Sequence, residues 1–99
     1  MSVNGARGEV ALMVDGKGHK LCLTLGALAE IETAFGCESL SDLDIRMRNL
    51  SAADLVVVLR ALLRGGGATD LAQSVADTNI QPSAAAKAVA EAFQIGLLG

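Results

Sequence analysis

Between Ser51 and the triplet Gly65-Gly66-Gly67, the chain places Leu55, Val56, Val57, Val58, Leu59, Leu62 and Leu63 within residues 52–64. At about 100° per residue these side chains cover nearly the whole circumference of a helix, and a helix that is apolar all round must be surrounded by other elements. Ser51 is a strong N-cap type with Asp54 three positions on as a capping carboxylate, and the glycines stop the helix. Three consecutive valines cost ~0.5 kcal/mol each in helix propensity, whereas burying each side chain gains ~1.5–3 kcal/mol, so burial decides. This helix is expected to be the central element, with Leu59 at the core, and the rest of the chain is read as its cover.

With 99 residues the chain is one small domain. Residues 1–8 have no periodicity and read as a flexible arm, leaving residues 9–99 as a single domain. Val10, Leu12 and Val14 alternate with Glu9, Ala11 and Met13, and Leu21, Leu23 and Leu25 alternate with Cys22 and Thr24. Both runs read as half-buried strands, joined through Asp15-Gly16-Lys17-Gly18 in a hairpin. Pairing Val14 with His19 would set Leu12 against Leu21 and Val10 against Leu23.

Thr24 is read as the N-cap of a first helix carrying Leu28, Ile31 and Phe35, with Gly36 as its stop. Glu30 and Glu32 fall on its solvated face. Ser41, with Leu40 before it and Ile45 at the staple position, is read as the cap of a second helix. Thr69 is expected to cap a short helix with Leu71 and Val75, and Pro82 to open a last helix over residues 83–95 whose inner stripe is Val89 and Phe93. The expected fold is α+β, mainly α: an N-terminal β-hairpin packed on four to five short helices.

Chemistry-bearing residues are sparse. His19 is the only histidine, so no Ser/His or Cys/His pairing beyond one candidate can be drawn, and the chain is expected not to be an enzyme. His19, Cys22 and Cys37 fall one ligand short of a tetrahedral zinc site at irregular spacing, so no metal and no cofactor are expected. The two cysteines are read as reduced core thiols of a cytoplasmic protein, since the N-terminus lacks a signal-peptide pattern. A net charge of -3, with only two aromatics, argues against a nucleic-acid partner. No apolar run approaches the ~20 residues of a membrane span, so no membrane partner is expected. Arg46, Arg48, Arg60 and Arg64 are expected to pair on the surface with carboxylates such as Asp42, Asp44 and Asp54, a basic strip toward an acidic partner segment being the alternative.

The segment Arg7-Gly8-Glu9-Val10, Asp15-Gly16, then residues 21–32 (LCLTLGALAEIE) and Phe35-Gly36 resembles the gene transfer agent tail assembly chaperone family. Ser51 with Asp54-Leu55, the run from Val58 to Gly67 and the Ala-rich helix ending in Phe93 resemble its later landmarks. The resemblance implies a non-catalytic protein that binds the tape measure protein and helps recruit tail tube subunits. It also implies a longer form made by translational frameshifting, of which this chain is the expected short counterpart. A structural minor tail component and a homo-oligomeric adaptor protein stand as alternatives, the latter because the apolar fraction of 52% suits self-association.

One apolar surplus remains. Val89 and Phe93 supply the inner stripe of the last helix, and Ile95, Leu97 and Leu98 follow around Gly96. No helical register buries all three in so small a domain. Either the tail folds back to dock these residues on the core, or Phe93, Ile95, Leu97 and Leu98 are the expected partner-binding residues, as a flexible apolar hook.

Overall fold

The computed structural model describes residues 9–98, with side chains through Leu97; the expected arm, residues 1–8, lies outside the described residues. Strands β1 (Glu9–Val14) and β2 (Lys17–Cys22) form an antiparallel hairpin. Asp15 (φ 51°) and Gly16 (φ 82°) both lie in the left-handed region, which is the signature of a two-residue type I′ turn. The turn is thus two residues long rather than four. Val14 pairs with Lys17, Leu12 with His19 and Val10 with Leu21, which corrects the expected pairing of Val14 with His19. A slip of two leaves the paired side chains on their expected faces, and Leu12, Val14 and Leu21 are all buried. But β2 stops at Cys22, so Leu23 lies beyond the strand and Leu25, expected on its inner face, is the first helical residue and 83% exposed. Asp15 also clamps the turn to a distant segment, donating its N–H to the Asn79 carbonyl (3.1 Å) and accepting the Asn79 N–H on Oδ1 (2.7 Å).

Five α-helices follow among the described residues: α1 (Leu25–Phe35), α2 (Leu40–Met47), α3 (Ala52–Gly65), α4 (Thr69–Gln73) and α5 (Pro82–Leu98), with a 3-10 turn at Val75–Asp77. The expected α+β, mainly α fold is the one observed. Thr24 caps α1 by accepting the Ala27 N–H (3.0 Å), and Gly36 ends it. The cap of α2 is Ser39 and not Ser41: its hydroxyl accepts the Asp42 N–H, while the Asp42 carboxylate reaches back to the Glu38 N–H (both 3.2 Å). Both serines have an acid three positions on, Asp42 after Ser39 and Asp44 after Ser41, so that spacing does not separate them; the contacts Asp42 makes with Ser39 and Glu38 do. The supposed staple residue Ile45 is exposed. Likewise Thr69 is the first residue of α4, which has no side-chain cap. The last helix runs past Gly96 to Leu98, so the expected flexible hook is a helix end.

Helix α3 is the central element. Val58, Leu59, Ala61, Leu62 and Leu63 are buried, joined in one core by Leu12, Val14, Leu21, Ile31, Leu43, Val89 and Phe93. Ser51 and Asp54 form a reciprocal capping box at its start (3.1 Å each way). Ser51→Ala should therefore lower stability by about 1 kcal/mol, which is roughly 4–8 °C in a domain this small; an unmoved melting midpoint would remove the cap from the account. The Ser51 backbone N–H, opposed by partial desolvation and aided by Arg46, holds the Asp54 carboxyl below the usual carboxylate range. Because the folded pKa is the lower one, this contribution is full above the ordinary carboxylate pKa and fades as pH falls through the depressed value.

The glycines after Leu63 do more than stop a helix. A Cβ on Gly65 would sit 2.1 Å from the Cys22 carbonyl oxygen, and one on Gly66 2.0 Å from that of Lys20. The end of α3 therefore lies directly against the backbone of β2, an approach only residues without Cβ allow. The cysteines are half-buried rather than core residues, Cys22 at the end of β2 and Cys37 after α1.

Candidate partner-binding groove

Helix α2 is the least self-sufficient part of the fold. Leu43 is its one buried residue, while Leu40 (53% exposed) and Ile45 (69%) face solvent. Polar contacts hold it in place. Arg46 reaches Asp54 of α3 at 2.9 Å and stacks over the Phe35 ring of α1 at 4.8 Å, and Arg48 pairs with Asp44 one turn back at 3.0 Å. Arg64 pairs with Glu30 at 2.7 Å, so Glu30 is an ion-pair partner of α3 and not simply a solvated side chain. Arg60 donates to the Ala72 carbonyl at 3.2 Å. Three of these four arginines pair with carboxylates, as expected, whereas Arg60 bonds a backbone carbonyl and Asp42 is engaged in the α2 cap instead.

Between α2 and the end of α5 runs an apolar groove of about 190 Å³, lined by Leu40, Leu43, Met47, Phe93 and Leu97, with Asp44 and Gln94 at its edge. Two of the four expected partner-binding residues meet here. Phe93 forms the floor and Leu97, 48% exposed, the wall. Ile95 is half-buried elsewhere on α5, and the Leu98 side chain lies outside the described residues. Gly96 packs against the Leu23 side chain, where an added Cβ would stand 2.9 Å from it, which binds the end of α5 to the domain. The α2 half of the groove was missed in the sequence. Leu40, Leu43 and Met47 recur at i, i+3 and i+7, a signal hidden once Ser41 is taken as the cap and Leu40 is left outside the helix.

A second apolar crevice of about 180 Å³ lies between α3 and the segment before α5, but Leu55, Val56 and Ile80 along it are already half-buried. His19 sits in β2 opposite Leu12. Among the described residues no three His, Cys, Asp or Glu side chains converge as metal ligands, and no helix is long and apolar enough to cross a membrane.

The family model described as phage tail tube protein, GTA-gp10, matches residues 7–99 of this chain. The chain belongs to that family. No curated protein and no solved structure matches it. Membership places this GTA-gp10 family protein among the tail proteins of gene transfer agents, and the match covers the hairpin, α3 and both helices of the groove.

Proposed function

We propose that this GTA-gp10 family protein acts as a tail assembly chaperone, holding a helical segment of the tape measure protein in the α2–α5 groove and helping to recruit tail tube subunits, and that it binds rather than catalyses. The observation that carries the reading is the groove itself. Leu40 and Leu97 stand half-exposed on either side of a buried Phe93 and Leu43, the arrangement that receives apolar anchors of an amphipathic helix. The engaged arginines and the net charge of -3 favour a protein partner over nucleic acid.

In a pull-down with the tape measure protein, Leu97→Asp should weaken capture by about tenfold or more, the effect of losing one anchor. Its melting midpoint should stay within a few degrees of the parent, because Leu97 is half-exposed. Undiminished capture would place the binding surface elsewhere. The family's description as a tail tube protein favours a second reading, a structural component that stays in the tail. Mass spectrometry of purified particles separates the two, since a chaperone is absent from finished tails and a structural component is present at fixed stoichiometry.

A further inference from the structure

We propose that the outer edge of β1 is a self-pairing surface, through which two copies of this chain join antiparallel about Ala11 into one four-stranded sheet. The argument begins with hairpin parity. In a two-residue hairpin the residues flanking the turn exchange hydrogen bonds, so Val14, Leu12 and Val10 bond inward to β2. The backbone groups of Met13, Ala11 and Glu9 then point away from β2, and on the opposite strand those of Gly18, Lys20 and Cys22 point away from β1. The glycines of α3 confirm this parity, because the carbonyls they approach are those of Lys20 and Cys22.

The two edges are treated differently. The edge of β2 is covered by Gly65 and Gly66. Along β1, among the described residues, no hydrogen bond reaches the outward N–H or C=O of Ala11 or Met13. The strand EVALMV carries no lysine, no proline and no bulge, its six residues pairing one to one with β2, and Glu9 at its start is its one charged side chain. Its solvent face is equally unguarded: Ala11 is exposed and Met13 is 59% exposed.

A second copy is the occupant these features fit. An antiparallel pairing about Ala11 is self-complementary, so each outward donor meets an acceptor by two-fold symmetry. It sets Val10 opposite Leu12 of the other copy on the core face. Glu9 falls opposite Met13, so the only charged side chain of β1 meets no like charge. One six-residue strand pair buries far less than the ~1,000 Å² of a lasting interface, so the dimer is weak and forms only toward about 0.1–1 mM.

Sedimentation velocity of the whole chain up to about 1 mM should show a monomer–dimer equilibrium. Ala11→Pro removes one outward N–H without touching the hairpin ladder and should raise the dimer Kd about tenfold or more. Met13→Glu sets a carboxylate against Glu9 of the other copy and should weaken the dimer about threefold or more, whereas Met13→Lys at the same exposed position should leave it as tight or tighter. Opposite responses to the two charges support the register, and both substitutions leave the core untouched. A chain that stays monomeric throughout, a dimer indifferent to Ala11→Pro, or equal responses to Glu and Lys would each overturn the proposal. None of these outcomes depends on the groove, so the chaperone reading stands or falls separately.

Discussion

Gly66→Ala should lower the stability of the domain by about 3 kcal/mol, at the upper end of what overpacking costs, and depress the melting midpoint by roughly 12–24 °C. The new methyl would stand 2.0 Å from the Lys20 carbonyl oxygen and 2.7 Å from its carbon, and the obstacle is backbone in a paired strand, not a side chain that can swing away. Either α3 retreats from β2 or the hairpin tilts, and both loosen a core to which Leu21, Leu62 and Leu63 contribute fully buried side chains. Gly65→Ala should behave similarly, its Cβ meeting the Cys22 carbonyl oxygen at 2.1 Å. Gly67 separates the steric cause from the conformational one: its φ of +92° disfavours alanine but nothing lies within 4 Å. Gly67→Ala should therefore cost only about 1 kcal/mol. Denaturant melts of the three variants check the order; a Gly66→Ala midpoint no lower than that of Gly67→Ala would contradict the close approach.

Leu59→Ala should destabilise by ~2–5 kcal/mol, as deletion of a buried leucine does. Leu59 is 4% exposed and belongs to the main core. Val57, two residues before it, is only half-buried and is not part of that packing, so Val57→Ala should stay within about 1 kcal/mol, with the better helix propensity of alanine offsetting some of the loss. Equal effects at the two positions would mean that α3 is buried evenly rather than presenting a defined inner face.

That contrast marks how far the sequence could be read. The nearly complete apolar circumference of residues 52–64 identified α3 as the central helix, and Leu59 as core, because a helix with only a narrow polar stripe must bury most of its surface. The contrast between Val57 and Val58 was also present in the periodicity: Val57 stands three and seven residues before Arg60 and Arg64 on the one polar stripe, whereas Val58 shares a face with Ala61 and Leu62. The ends of α3 and α1 were equally legible, because Ser51, Asp54, Thr24 and Gly36 act within a few residues of themselves. The cap of α2 was not. Ser39 and Ser41 are both plausible starts, and the choice rests on the Asp42 carboxylate folding back to the Glu38 N–H, with Leu43 alone turned into the core.

For the candidate site, Phe93 and Leu97 could be found because an apolar surplus at the end of one helix is a one-dimensional signal. Leu40, Leu43 and Met47 could not be joined to them, since they lie some 50 residues away and nothing local says that α2 packs beside α5.

The sequence by itself determined the elements: a hairpin about Asp15-Gly16-Lys17-Gly18, a largely apolar helix between Ser51 and the glycine run, and a last helix opened by Pro82. Each follows from side-chain spacing and from the turn and cap preferences of single residues, which are short-range effects. The tighter register is also local, set by the type I′ turn at Asp15-Gly16, whereas only the tertiary structure decided the seating of Gly65 and Gly66 against the Cys22 and Lys20 carbonyls and the groove shared by α2 and α5. These are long-range outcomes. The Asp15–Asn79 clamp joins positions 64 apart in sequence, and the glycine contacts depend on how closely a helix end can approach a strand, a distance set by packing density across the whole core and by no residue pattern along the chain.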